Sequence, residues 1–232
     1  MIVAILLADK SDPDSARYFA ANGGATVIER VASTVLRGPF GGTLVAARPE
    51  ISAKIKDSLQ GFALQIVETS GAKSGAHSIL IEGLKAAEAF RARWEKAMAA
   101  AALRFQKSPG KEAGGKSGGA PGDWNKHKQS ADVKIRGLAR SFERDGVLVL
   151  PADSVEIGKE QLARMVEAFA RDGQEARPHA FVQAVIDGAR GWPVIMSPDA
   201  AREVAALPVE TVFAKWLVKD IERVKDVGIG TD

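Results

Sequence analysis

The chain has no cysteine and only three histidines among its 232 residues. Without cysteine there are no disulfides and no thiolate metal sites. The histidines, His77, His127 and His179, share no metal-ligand spacing and read as solvated or capping residues. No Ser/His/Asp arrangement and no Gly-x-Ser-x-Gly elbow appears, so the usual hydrolase chemistry has no sequence support. Long apolar runs are also missing. Met1–Ala8 is apolar, but it is far too short to span a membrane and carries no basic leader segment. A cytoplasmic protein without a membrane partner is the expectation. An excess of one charge is lacking too. The formal net charge of +3 does not call for nucleic acid.

What is present is a rhythm of strands and helices. Gly146–Asp153 reads Gly-Val-Leu-Val-Leu-Pro-Ala-Asp, an apolar run bounded by glycine and proline. Such a run predicts a strand buried on both faces, as in a parallel sheet covered by helices. Ligands in open α/β sheets bind beyond the carboxyl ends of the strands, and Asp153 stands at that address. A carboxylate there serves either a ligand or a turn, and the stretch alone leaves both open.

Ile2–Ala8 predicts a second buried strand, followed by a polar loop over 9–14. Asn22-Gly23-Gly24 is a turn signal. Thr26 with Glu29 fits a capping box, opening a helix whose apolar face is Val27, Ile28, Val31 and Val35. Strands are expected near 43–47, 62–67 and 181–186, with a short one at 194–196 and a last one within 221–227. Helices are expected over 50–59, 74–106, 131–144, 159–171, 198–206 and 209–218. Trp94 and Trp216 fall at helical core positions. Asp187–Pro193 reads as a tight loop. The alternation predicts βαβ units in one three-layer α/β/α domain spanning 1–232, with a mostly parallel sheet.

Ser108–Gly122 breaks the rhythm with six glycines and two prolines, a composition that cannot pack a core. Residues 91–135 read as a basic, flexible insertion suited to an acidic protein partner. Gly110 to Ser117 matches the letters of a P-loop, but no strand precedes it and no helix can follow, so the phosphate-cradling geometry is not expected. Trp124 is the one aromatic among the lysines of 107–134, and RNA stacking needs more. Nucleic acid is not an expected partner. Arg190, in a glycine-bounded segment, reads as an anion contact or a surface arginine, and Trp192 as a substrate contact or a packing residue.

Several segments carry a resemblance by their order. Leu7-Ala8-Asp9-Lys10-Ser11 follows the first strand, and Asn22-Gly23-Gly24 leads into a helix. Leu44–Ile51 forms the second strand–helix step, and Ser78-Ile-Leu with Gly83-Leu84 starts the long helix. Val147–Asp153 is a strand ending in aspartate, and Asp187–Val194 reads Asp-Gly-Ala-Arg-Gly-Trp-Pro-Val. In this order they resemble the MobA-like nucleotidyltransferases, which attach a nucleotide to molybdopterin. The resemblance covers nearly the whole chain outside 91–135.

It implies a Rossmann-like nucleotidyltransferase fold of the nucleotide-diphospho-sugar transferase type. It also implies transfer of a nucleoside monophosphate from CTP or GTP to a phosphate-bearing acceptor such as molybdopterin. The implied cofactor is Mg²⁺, held by Asp153. The implied catalytic residues are Asp153, Lys10 and Arg17. Ala8, Asp9, Lys10, Ser11, Arg17 and Ser78 would bind the nucleotide, and Arg190, Gly191 and Trp192 the acceptor. The chain departs from the family at Asp9 and Lys10, where small residues are usual, and at Ser154, where glutamine is common. The second metal carboxylate is missing from its usual C-terminal place unless Asp226 or Asp232 substitutes. A non-catalytic relative that binds a ligand or a protein is the alternative.

Overall fold

The computed structural model describes residues 1–10, 13–69, 76–106 and 144–230, with side chains in the 76–106 stretch described through 101. The insertion beyond 106, the P-loop-like letters, His127, the expected helix over 131–144 up to residue 143, Ser11 and Asp232 lie outside the described residues.

β1 (Ile2–Ala8) is buried at every position, as an apolar run must be when helices cover both faces of a sheet. A small hairpin of β2 (Ala21–Asn22) and β3 (Ala25–Thr26) turns on Gly23 and Gly24. Both glycines have positive φ, 61° and 88°, which side-chain-bearing residues adopt only at a cost. α1 (Val27–Leu36) starts on the expected capping box of Thr26 and Glu29. β4 (Gly42–Ala47) follows, and α2 (Pro49–Ser58) opens with proline in its first turn, where no backbone donor is needed. β5 (Gln65–Glu68) and α3 (Ala76–Gln106) complete the first half.

β6 (Gly146–Pro151) leads to α4 (Lys159–Asp172). β7 (Phe181–Ile186) and β8 (Ala189–Met196) form a hairpin. α5 (Pro198–Ala205) begins where the Ser197 hydroxyl accepts from the Ala200 N–H. α6 (Phe213–Lys219) and β9 (Val224–Gly228) end the described chain.

Among the described residues seven strands make one sheet in the order β5-β4-β1-β6-β8-β7-β9. The pairs β5–β4, β4–β1, β1–β6 and β7–β9 are parallel, and β8 runs antiparallel to both neighbours. Strand alternation feeds two cores. Ala4, Leu6, Val45, Leu148 and Leu150 pack with α1, α2 and α4 on one face. Val3, Ile5, Leu44, Val147 and Val149 pack with α3, α5 and α6 on the other. Each large aliphatic side chain so buried stabilises the fold by about 1.5–3 kcal/mol. The three-layer, mostly parallel architecture is the one the sequence pattern predicts. No helix among the described residues is long and apolar enough to cross a membrane.

Packing at the start of β6 is tight. A Cβ at Gly146 would lie 2.8 Å from Cε1 of Phe169 and 3.1 Å from the Met196 carbonyl oxygen. Phe169 is fully buried and has nowhere to move. Gly146→Ala is therefore expected to lower stability by about 1–3 kcal/mol in a urea titration.

The C-terminal third corrects the sequence reading in detail. Asp187–Pro193 is not a loop: only Asp187 and Gly188, at φ 49° and 78°, form the turn, and Arg190, Gly191 and Trp192 lie on β8. Asp-Gly with both residues at positive φ is the two-residue hairpin turn that matches strand twist. The β7–β8 register shifts between Gln183 and Ala184, so Trp192 and Pro193 stand opposite no ladder partner. Such a bulge re-aims side chains. The helix expected over 209–218 covers only 213–219, because Val209–Val212 runs on as a partly exposed segment.

Candidate functional site

Continuing the β1–β6 register two residues past Leu7 and Pro151 brings Asp9 beside Asp153. Continuing β1–β4 by one residue brings Arg48 beside Asp9. Three parallel strands thus place two carboxylates and a guanidinium in a row at their carboxyl ends, where α/β sheets bind ligands. The Ala152 N–H donates to the Leu7 carbonyl at 2.9 Å, extending the ladder to the residue before Asp153.

Asp153 is the hub. The Lys10 ammonium pairs with its Oδ2, and Arg17 Nη2 lies 3.8 Å from the same oxygen. Asp153 is 14% exposed, Lys10 27% and Arg17 69%. The aspartate is thus firmly set, while the arginine stands free to reach into solvent. Both contacts use Oδ2.

The loop after β1 is held by a residue the sequence reading passed over. Tyr18, the chain's one tyrosine, is fully buried in the short 3-10 helix over 14–19. Its hydroxyl accepts from the Lys10 N–H at 3.1 Å and donates to Asp9 Oδ1 at 3.2 Å. Burial first, then the nearby Asp9 and Asp153 charges, push the phenol well above its ordinary pKa. The phenol therefore remains a proton donor to Asp9. Arg48 Nε donates to the Asp9 carbonyl and ties the same loop to β4.

Two depressions flank this row. One, about 370 Å³, is lined by Arg17, Asp153, Ser154, Arg190, Gly191 and Trp192. It unites Asp153 with all three residues expected at the acceptor. The other, about 500 Å³, is largely apolar and is lined by Leu7, Asp9, His77, Leu80, Trp192 and Phe213 among others. Pro151 and Trp192 border both. Trp192 stacks on Phe213 with ring centroids 5.7 Å apart.

Not every expected residue joins the row. Ala8 is buried in the core below it. Ser78 is buried near the start of α3, where His77 and Ala76 line the apolar cavity instead. Arg190 grips Asp226 with both ends of its fork, at 2.7–3.0 Å. Asp226 is thus bound to a guanidinium on the neighbouring hairpin. His77 departs from the solvated reading: it is 6% exposed, and neither ring nitrogen has a hydrogen-bond partner among the described residues.

Asp153 suits a divalent cation on chemical grounds. It is a single ordered carboxylate whose Oδ1 takes no part in either ion pair. Mg²⁺ binds through one or two carboxylates plus phosphate oxygens and water, so one such ligand fits a metal that arrives with a nucleotide. A second cluster does not. Asp172, Glu175 and His179 offer ligand atoms within 4.8 Å of one another. The Lys225 ammonium already stands there, 2.7 Å from Glu175 and 3.3 Å from Asp172, and Arg144 is 2.9 Å from Asp172. Phe181 and Val147 share the Met196 level, so this cluster sits at the opposite end of the sheet, about 20 Å from Asp153.

No protein-family model matches the chain, and no curated protein matches it. Solved structures do. A manganese complex of Rv0371C from Mycobacterium tuberculosis is 11% identical, with a TM-score of 0.58 over 99% of this chain and 88% of that one. A nucleotidyl transferase from Methanothermobacter is 14% identical, with a TM-score of 0.60 over 98% and 87%. CMP:2-keto-3-deoxy-manno-octonic acid synthetase complexed with CTP is 10% identical, with a TM-score of 0.56 over 99% and 89%. At these identities the likeness establishes the fold, which is of the nucleotide-diphospho-sugar transferase type.

Proposed function

We propose that the chain is a nucleotidyltransferase that moves a nucleoside monophosphate from CTP or GTP to a phosphate-bearing acceptor. The observation that carries this reading is Asp153 at the carboxyl end of β6, with Lys10 and Arg17 on one of its oxygens. The resemblance in sequence order names molybdopterin as a member of the acceptor class. The solved structures support the donor class, since one was captured with CTP and another with manganese.

In the reaction an acceptor phosphate oxygen forms a bond to the α-phosphorus, and the bond from that phosphorus to the bridging oxygen breaks. The electron pair leaves with pyrophosphate. Bound Mg²⁺ would neutralise charge on the triphosphate. Asp153 would hold it through the oxygen that Lys10 and Arg17 leave alone. Lys10 would then exchange Asp153 for the phosphates, and Arg17, already extended into solvent, would join it on the departing pyrophosphate. Tyr18 and Arg48 hold the backbone of residues 9 and 10 so that the exchange moves a side chain rather than the loop. Arg190 and Trp192 would face the acceptor across the smaller depression.

A second reading has an observation of its own. Lys10 occupies Asp153, as it would in a non-catalytic relative that binds a ligand, or an acidic protein through the basic 91–135 stretch. Calorimetric titration of CTP and GTP, with and without Mg²⁺, separates the two. Transfer requires binding that strengthens with the metal. Absence of binding by either triphosphate supports the non-catalytic reading. Lys10→Met is expected to weaken triphosphate binding roughly tenfold or more, the loss of one charge-assisted contact.

A further inference from the structure

A third depression lies apart from the strand ends. Its volume, about 600 Å³, is that of a small-molecule site, and it shares no lining residue with the two beside Asp153. α1 supplies most of its wall. Arg30, Ser33, Thr34 and Arg37 stand at i, i+3, i+4 and i+7, on one face of the helix and its C-cap. Ile28, Val31, Ala32 and Val35 turn the opposite face into the core. The Gly23–Gly24 turn and the half-buried Phe62 complete the lining.

Charge sets this face apart. Arg30 Nη1 donates to the Asn22 side-chain oxygen at 2.6 Å, a neutral partner that fixes the guanidinium without cancelling its charge. A Cβ on Gly23 would lie 3.2 Å from the same Nη1, so the turn backbone rests against the arginine. Arg37 is exposed and has no acid partner among the described residues. By contrast Arg144, Arg171, Arg190 and Arg223 each hold a carboxylate. Glu29 is the one acid among the described lining residues, and its carboxylate already accepts from the Thr26 N–H in the capping box.

Residues seven apart on a helix are separated by about 10 Å along its axis. Two arginines so placed can close on one anion seated over Ser33 and Thr34, whose hydroxyls add donors. A phosphate dianion matches two guanidiniums in charge and in fork geometry. Phosphate alone would fill little of the depression, and Phe62 gives the remainder an aromatic wall on which a flat ring can pack. From these features we infer that the outer face of α1 is a binding site for a phosphomonoester with a flat ring body, of the nucleoside monophosphate class. The site takes no residue from the transfer chemistry and stands or falls apart from it.

The probes are AMP, adenosine and inorganic phosphate, used at low ionic strength because salt screens exposed charges. Amide NMR reads the place of binding. AMP should shift the amides of Gly23, Gly24, Ser33 and Thr34 together and saturably, and Asp153→Ala should leave those shifts unchanged. AMP is expected to bind roughly tenfold more tightly than adenosine or phosphate. Arg30→Gln and Arg37→Gln should each weaken it about tenfold, the loss of one charge-assisted contact. Both side chains are exposed, so urea unfolding should be unchanged. Arg164→Gln, an exposed arginine on α4, should leave AMP affinity as it was. Shifts confined to residues around Asp153, an affinity that survives the double substitution, or an equal loss in Arg164→Gln overturns the site. Adenosine or phosphate binding as tightly as AMP overturns the ligand class.

Discussion

Asp153→Ala is expected to erase the magnesium-dependent part of CTP or GTP binding, a loss of more than about 100-fold. Replacing an outer-shell partner of a metal ligand commonly costs 10–100-fold, and removing the ligand itself costs more. The substitution should leave the fold nearly untouched. The Lys10 and Arg17 contacts are partly solvent-exposed, and pairs of that kind contribute about 1 kcal/mol or less. The pairing of a large binding defect with a small stability change is the signature. Asp153→Asn should behave alike, because it preserves shape but removes the charge. Calorimetry for binding and urea unfolding for stability read the two halves separately.

Asp172 is expected to show the reverse: large loss of stability, little loss of binding. It is fully buried and takes hydrogen bonds from Arg144 at 2.9 Å, from the His179 backbone at 2.8 Å and from Lys225 at 3.3 Å, with His179 Nδ1 at 2.7 Å. Asp172→Ala strands these cations against α4, β7 and β9. Removing one partner of a buried ionic network costs about 3–5 kcal/mol, and the partial exposure of Arg144 and Lys225 places the expected loss near the lower end. For a chain this size that is a fall in Tm of roughly 6–12 °C.

The same carboxylate sets a pH dependence. Burial alone would raise its pKa, but the His179 side chain, Arg144, the His179 N–H and Lys225 outweigh burial and hold it below the ordinary value. The folded state thus binds the proton less readily than the unfolded chain. Its stabilisation is fully present above the free value of about 3.9 and is lost as pH falls through the lowered folded value. Wild-type stability should therefore decline below about pH 4, and Asp172→Ala should flatten that decline. The check is urea unfolding between pH 2.5 and 6.

The architecture was readable from the chain because its central strands are continuous apolar runs. Ile2–Ala8 and Gly146–Pro151 have no polar face, and only a sheet covered on both sides accommodates them. Thr26 and Glu29 marked a helix start correctly to the residue. The β7–β8 hairpin is hard to see in the sequence because Trp-Pro within a run argues against a strand, whereas the bulge at Trp192 and Pro193 lets both stay. Asp187-Gly188 was the available hairpin signal.

The site was partly legible. Asp153, Lys10 and Arg17 converge because β1 and β6 are adjacent parallel strands of matched register, a fact that strand order supplies and sequence spacing does not. Tyr18 and Arg48 reach Asp9 and Lys10 from other elements, so no local pattern marks them. His77 did carry a signal. It precedes Leu80, Ile81 and Leu84 at helical spacing on a buried face, where an uncapped histidine has no water to satisfy it.

The exchange of Lys10 between Asp153 and a triphosphate is the step on which the account turns. The most direct measurement is a crystal structure with Mn²⁺ and a CTP or GTP analogue whose α,β bridge cannot be cleaved, read by anomalous scattering. The account predicts manganese bound to Asp153 at about 2.1 Å, with the Lys10 ammonium moved onto the phosphates. A bound analogue with Lys10 still on Asp153 and no metal beside it would contradict the account.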